Sequence, residues 1–179
     1  MNKFRFLLVT IVIFVSVNSA YAQRAAVSTD LLKWATLSAN ISADVVLDTN
    51  ISLNLEASYN PFNNIYNDMS AEHMMFSPEL RVWLKRALYS HYIGFNVMSV
   101  IYDVEYNGKA YKGQAAAIGL GYGYSFILAK RWNLTPYIGF GYGYSQRYTE
   151  PELGADSPVE ASFEPMITKL GVSFSYIIN

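Results

Sequence analysis

The sequence predicts an all-β fold, an eight-stranded antiparallel up-and-down transmembrane β-barrel, on three observations. Apolar residues alternate with small or polar ones at period two, and short turns alternate with long connections along the chain. A seven-residue phrase, Gly119-Leu-Gly-Tyr-Gly-Tyr-Ser125, also returns as Gly139-Phe-Gly-Tyr-Gly-Tyr-Ser145. In the first copy Ala116, Ile118, Leu120, Tyr122, Tyr124 and Phe126 share one face, and Ala117, Gly119, Gly121, Gly123 and Ser125 share the other. The second copy sets Trp132, Leu134, Ile138, Phe140, Tyr142 and Tyr144 against Asn133, Thr135, Gly139, Gly141, Gly143 and Ser145. A soluble protein would turn the aromatic face onto a core, whereas a membrane barrel turns it outward to lipid and leaves small or polar groups inside.

The first strand is expected over Ala25 to Leu32, followed by a connection from Lys33 to Ala39. The second, Asn40 to Leu47, sets Ile41, Ala43, Val45 and Leu47 against Ser42, Asp44 and Val46. After the turn Asp48 to Asn50, the third carries the cleanest alternation, Ile51, Leu53, Leu55, Ala57 and Tyr59 against Ser52, Asn54, Glu56, Ser58 and Asn60. Pro61 to Glu72 reads as a long loop, rich in Asn and opened by Pro. Strand four, His73 to Leu84, leads through the turn Lys85 to Ala87 into strand five, Leu88 to Tyr102. Asp103 to Ala110, containing Asn107-Gly108, reads as a loop. Strands six and seven are the repeated hairpin around Ala129 to Arg131, and Gln146 to Glu160 is a long acidic loop. The final strand sets Leu170, Val172, Phe174, Tyr176 and Ile178 against Lys169, Gly171, Ser173 and Ser175.

Two short ends frame the barrel. Lys3 and Arg5, the apolar run Phe6 to Val17 and the small-residue site Ala20-Tyr21-Ala22 read as a signal peptide over residues 1–22, cleaved after Ala22. Residues 23–179 then form one outer-membrane barrel domain. The apolar run is shorter than the roughly 18 residues a spanning helix needs. Export without any cysteine, and hence without a lipoprotein anchor, leaves periplasm, outer membrane or secretion, and the alternating strands favour the outer membrane of a Gram-negative cell. With Lys3 and Arg5 removed the charge is slightly acidic and no basic run remains, so nucleic acid is not an expected partner. Hydrophobic residues reach 52%, yet they are dispersed by alternation rather than gathered into spanning runs.

These residues resemble a family of small outer-membrane barrels from Bacteroidota, domain of unknown function 3575. The likeness lies in Val27-Ser-Thr-Asp-Leu-Leu32, Ser77-Pro-Glu-Leu-Arg-Val-Trp83, Tyr111-Lys-Gly113, Gly121-Tyr-Gly-Tyr124, Lys130-Arg-Trp-Asn-Leu134 and Thr168-Lys-Leu-Gly-Val172. Asp30 stands where the family pattern has Asn, and a cysteine pair found in the last outer loop of some members is missing. The resemblance implies an outer-membrane location and genomic company with fimbrial or cell-surface genes.

Candidate chemistry is sparse. His73, Ser77 and Glu79 share one face of strand four, but on a strand His73 and Ser77 stand ~13 Å apart, too far for a hydrogen-bonded pair. His91 lies near a short turn on another strand, and two such histidines make no metal signal. The glycines lie inside strands rather than before a helix, so they do not read as a phosphate loop. No catalytic residue, cofactor or metal is expected. By parity Asp44, Glu56, Glu79, Arg81 and Lys169 face inward, which predicts an interior polar network of Arg81 and Lys169 against Glu56 and Glu79. Trp83, Arg81, Tyr92 and Met98 are expected to fill the space that the bare glycine wall leaves.

The expected role is a non-enzymatic one in surface structure, adhesion or assembly through the outer loops. Membrane lipid, the barrel assembly machinery and a surface or fimbrial protein are the expected partners. A small pore or transport protein is the alternative, and a lipid-modifying barrel enzyme the third reading.

Overall fold

The computed structural model describes residues 24–62, 70–106, 109–149 and 159–178. The predicted signal peptide and its cleavage site after Ala22 lie outside these residues. Eight strands follow in order: β1 (Ala25–Asp30), β2 (Ala39–Asp48), β3 (Ile51–Asn60), β4 (Ser70–Trp83), β5 (Ser90–Tyr106), β6 (Lys109–Ala129), β7 (Trp132–Thr149) and β8 (Val159–Ile178). Each pairs antiparallel with the next, and β1 pairs with β8, so the sheet closes into a barrel. Among the described residues no helix is long and apolar enough to cross a membrane, which says nothing of strands.

Period-two alternation decides which side chain goes where, because successive residues of a strand point to opposite faces. On β3, Ser52, Asn54, Glu56, Ser58 and Asn60 are buried in the barrel, while Leu55 and Tyr59 are exposed outside. On β6 and β7 the glycines line the interior, while Ile118, Leu120, Tyr122, Phe140 and Tyr142 stand on the outer wall. The distribution is inverted relative to a soluble protein. Side chains such as Met74, Leu120 and Phe140, about 60% exposed, form the outer wall, and buried serines, asparagines and charged groups form the inside.

Small residues on β5 to β7 make room for large ones opposite. A Cβ on Gly123 would lie 2.5 to 2.7 Å from the Tyr92 ring, and one on Gly121 would lie 2.7 Å from the Glu79 carboxylate. The space is filled as expected by Trp83, Arg81, Tyr92 and Met98, all buried.

The end that carries the short turns is sealed. The connection between β4 and β5 runs across it, with Ala87 N donating to Thr49 O at 2.8 Å and Leu88 O accepting from Asn133 Nδ2 at 2.7 Å. Its shape needs positive φ at Leu88 and Ser90, 71° and 73°. Ala87 and Leu88 thereby pack with Ala26, Trp83, Tyr92, Tyr137 and Ile177 into a small apolar core inside the barrel floor.

Five segments differ from expectation. The first strand stops at Asp30, and Leu31–Ala35 form one short helix, α1, within what was expected to be strand and connection. Asp30 caps it by accepting from Lys33 N at 2.9 Å. The turn at Lys85 to Ala87 spans the wider segment 84–89, because it must reach across the floor. The loop expected over Asp103 to Ala110 is mostly strand, since Asp103 pairs with Lys112 and Tyr106 with Lys109, leaving only 107–108 outside the described residues. The loops expected over Pro61 to Glu72 and Gln146 to Glu160 are likewise shortened by β4, β7 and β8, and 63–69 and 150–158 lie outside the described residues.

Candidate interior site

The feature that gathers the barrel's chemistry is a charged layer across its interior, just above the apolar floor. It is assembled on three adjacent strands, β2 to β4, whose inward positions coincide in register: Ser42 opposite Glu56, Asp44 opposite Asn54, Asn54 opposite Glu79, and Ser52 opposite Arg81. Lys169 enters from the far wall on β8, where a register shift leaves Thr168 and Lys169 both buried inside.

All five residues expected inside, Asp44, Glu56, Glu79, Arg81 and Lys169, lie there and are joined. Arg81 Nη1 donates to both oxygens of Asp44 at 3.0 Å, and its Nε donates to Glu79 Oε2 at 2.7 Å. Lys169 Nζ donates to Glu79 Oε2 at 2.9 Å, pairs with Glu56 Oε2 at 3.0 Å and donates to Asn54 Oδ1 at 3.2 Å. Asn54 closes the circuit through Nδ2 to Asp44 Oδ2 at 3.0 Å. The pairing is wider than expected, because Arg81 takes Asp44 as well as Glu79. Below, the Arg81 guanidinium lies 4.6 Å from the Tyr92 ring centre, and Trp83 Nε1 donates to Ser52 Oγ at 2.9 Å.

Lys33, Tyr137 and Asp30 join the layer beyond the expected set. Lys33, turned inward by α1, pairs with Glu56. Tyr137 donates its hydroxyl to Asp30 Oδ2 at 2.9 Å, and its ring lies 5.7 Å from Lys169 Nζ. Four carboxylates (Asp30, Asp44, Glu56, Glu79) thus meet three cations (Lys33, Arg81, Lys169). The one without a cation in the salt bridges is Asp30, whose oxygens are held by neutral donors, the Tyr137 hydroxyl and the Lys33 amide. Alternation alone placed Tyr137 inside, since it shares parity with Thr135 and Gly139. Lys33 carried no strand parity; its only signal was its place three residues after a capping Asp.

The layer works as a plug. Burying charges is costly, and the mutual ion pairs and hydrogen bonds offset that cost only while every member stays paired. The space between Arg81, Trp83, Leu88 and the β7 and β8 wall is about 10 Å³, the volume of about one water probe.

The tempting surface set does not assemble. Ser77 Oγ is fully buried, and the His73 ring faces Ser58 Oγ at 3.5 Å rather than Ser77. His91 lies on the outer wall, its Nδ1 2.5 Å from Tyr122 OH and its ring against Tyr124. Among the described residues no group of three or more His, Cys, Asp or Glu is placed to hold a metal. An open groove of about 510 Å³ crosses the long-connection rim, lined by Tyr59, Met74 and Ile101 with Asp103 and Lys112, which pair at 3.3 Å.

A family model described as "Protein of unknown function (DUF3575)" matches residues 7–178. The chain belongs to that family. Searches of curated proteins and of solved structures each returned no match. The family description names no activity, so the functional reading rests on the geometry of the barrel.

Proposed function

We propose that this chain is a small non-enzymatic outer-membrane barrel that presents its long connections as a surface for structure, adhesion or assembly. The observation that carries the reading is the inverted wall, apolar outside and charged inside. In water such a wall would expose far more contiguous apolar surface than soluble monomers tolerate. Facing hydrocarbon, the same wall is stabilised, and a closed barrel leaves no unpaired backbone where its ring is complete.

Two aromatic groups on the outside support the placement. Near the short turns, Trp132 stacks on Phe174 at 4.8 Å and touches Tyr176, while Tyr124 meets Phe126. Towards the other end, Tyr142 and Tyr144 pack against Phe163. From Trp132 to Tyr144 the strand runs about 40 Å, which at a tilt of about 40° gives about 30 Å of height, close to a hydrocarbon layer. Even α1 conforms, with Lys33 inside and Leu31, Leu32 and Trp34 exposed outside.

The plug and the sealed floor weigh against the pore reading, and the separated His73 and Ser77 weigh against lipid modification. The expected partners are membrane lipid, the assembly machinery that inserts barrels, and a surface or fimbrial protein that meets the long connections. A refolded sample run unboiled and boiled tests the reading. The unboiled barrel is expected to migrate differently from the boiled chain, and identical mobility would refute it. For the surface role, deletion of residues 151–158 is expected to weaken attachment or assembly at the cell surface. An unchanged phenotype would count against that role.

A further inference from the structure

The two ends of the barrel differ sharply in charge. At the short-turn end stand Arg24, Lys85, Arg86, Lys130 and Arg131, with Asp48 the one carboxylate side chain there among the described residues. Among the described residues none of these five cations makes an ion pair. At the other end Lys112 is taken by Asp103 and Arg147 by Glu164, and the connecting segment 150–160 contains Glu150, Glu152, Asp156 and Glu160 with no lysine or arginine.

The backbone of the turns that carry these cations is pinned. The segment carrying Lys85 and Arg86 is pinned across the floor by Ala87 N to Thr49 O, and Arg131 O accepts from Ile177 N at 2.8 Å. One of the cations, Arg131, also adjoins the aromatic band. Arg131 Nη1 donates to Tyr176 OH at 3.0 Å, and Trp132 follows directly in the chain. Aromatic rings of this kind mark the depth of the headgroups, and a cation on their rim reaches phosphate with its apolar stem still against the wall.

We propose that the short-turn end is a collar that binds the phosphate groups of anionic phospholipids in the leaflet it meets. This rests on the membrane reading above and adds a ligand class to it. Contiguity with the aromatic band favours lipid over a soluble anion, because a docking surface for a soluble partner has no need to lie at headgroup depth. The acidic opposite end repels the same lipids, so the collar also biases which leaflet each end prefers.

Native mass spectrometry of the refolded barrel tests this, with the protein released from micelles holding equal phosphatidylglycerol and phosphatidylcholine. Phosphatidylglycerol is expected to be retained in preference, with the preference falling about five-fold for each cation removed and vanishing in Lys85→Gln/Arg86→Gln/Lys130→Gln/Arg131→Gln. The control Lys112→Gln/Arg147→Gln, at the other end, is expected to keep it. Equal retention of both lipids, a preference that survives the fourfold variant, or retention of added inorganic phosphate in place of lipid would overturn the proposal. Heat-modifiable mobility is recorded on the same samples. A heat-modifiable barrel without lipid preference refutes this inference alone, whereas a chain without heat-modifiable mobility refutes the membrane reading and this inference together.

Discussion

Lys169 on β8 and Glu79 on β4 belong to opposite walls of the barrel, yet they meet inside it at 2.9 Å. Neither strand touches the other through backbone pairing. The ion pair therefore ties together walls that the sheet connects only the long way round. Lys169→Ala removes a cation from Glu56 and Glu79 at once, and breaking a buried pair by deleting one partner costs about 3 to 5 kcal/mol. Urea unfolding followed by tryptophan fluorescence is expected to show that loss. The double variant Lys169→Met/Glu79→Gln should recover part of it, because no carboxylate at position 79 is then left facing an empty site. A double variant as weak as the sum of the single ones would contradict the direct pairing.

Gly123 and Tyr92 make a steric prediction. A Cβ at position 123 falls within the Tyr92 ring, whereas the backbone of Gly123 shows no positive φ that would itself demand glycine. Gly123→Val is expected to destabilise the barrel by about 1 to 3 kcal/mol, the usual cost of overpacking. Gly123→Val/Tyr92→Leu should be closer to the parent than the sum of its parts. Failure of the second change to compensate in the same unfolding assay would show that the glycine serves another purpose.

Asp30 caps α1 and receives the Tyr137 hydroxyl. Asp30→Ala loses both bonds, a cost of about 1 to 3 kcal/mol. Asp30→Asn keeps an oxygen for the Lys33 amide and a polar atom for Tyr137, so its midpoint should stay near the parent. Equal damage from both substitutions would mean that the negative charge, not the cap, is what matters.

The plug predicts electrical silence. Planar bilayers holding the parent barrel are expected to show no steady conductance, since Arg81, Lys169 and their carboxylates fill the section above a sealed floor. Steady parent currents that disappear in Arg81→Ala would reverse the assignment and make the layer an ion path.

Strand number, inward parity and the five interior charges were legible because each depends on alternation, and alternation survives wherever the backbone stays extended. The departures occur where it does not. Asp30 ends β1 because its side chain caps the amide three residues on, and from there a helical turn rather than a pleat aims Lys33 inward. Thr168 and Lys169 both face inside because the register slips between Gly139 and Phe140, which breaks parity in a way no residue type announces. Residues 103–106 and 109–110 were expected as loop on the Asn107-Gly108 turn signal, yet they go on pairing as strand on either side of it. Tyr137 differs from these, since the parity it shares with Thr135 and Gly139 was readable in the sequence.

Single-tryptophan variants in vesicles of brominated phosphatidylcholine test the inverted wall most directly. Trp132 is on the outer face against Phe174, and Trp83 is buried inside against Tyr92. With the other two tryptophans replaced by phenylalanine, bromine on the acyl chains should quench Trp132 strongly and leave Trp83 nearly untouched. Quenching of Trp83 with Trp132 unaffected, or of neither, would contradict a barrel that faces lipid with its apolar wall.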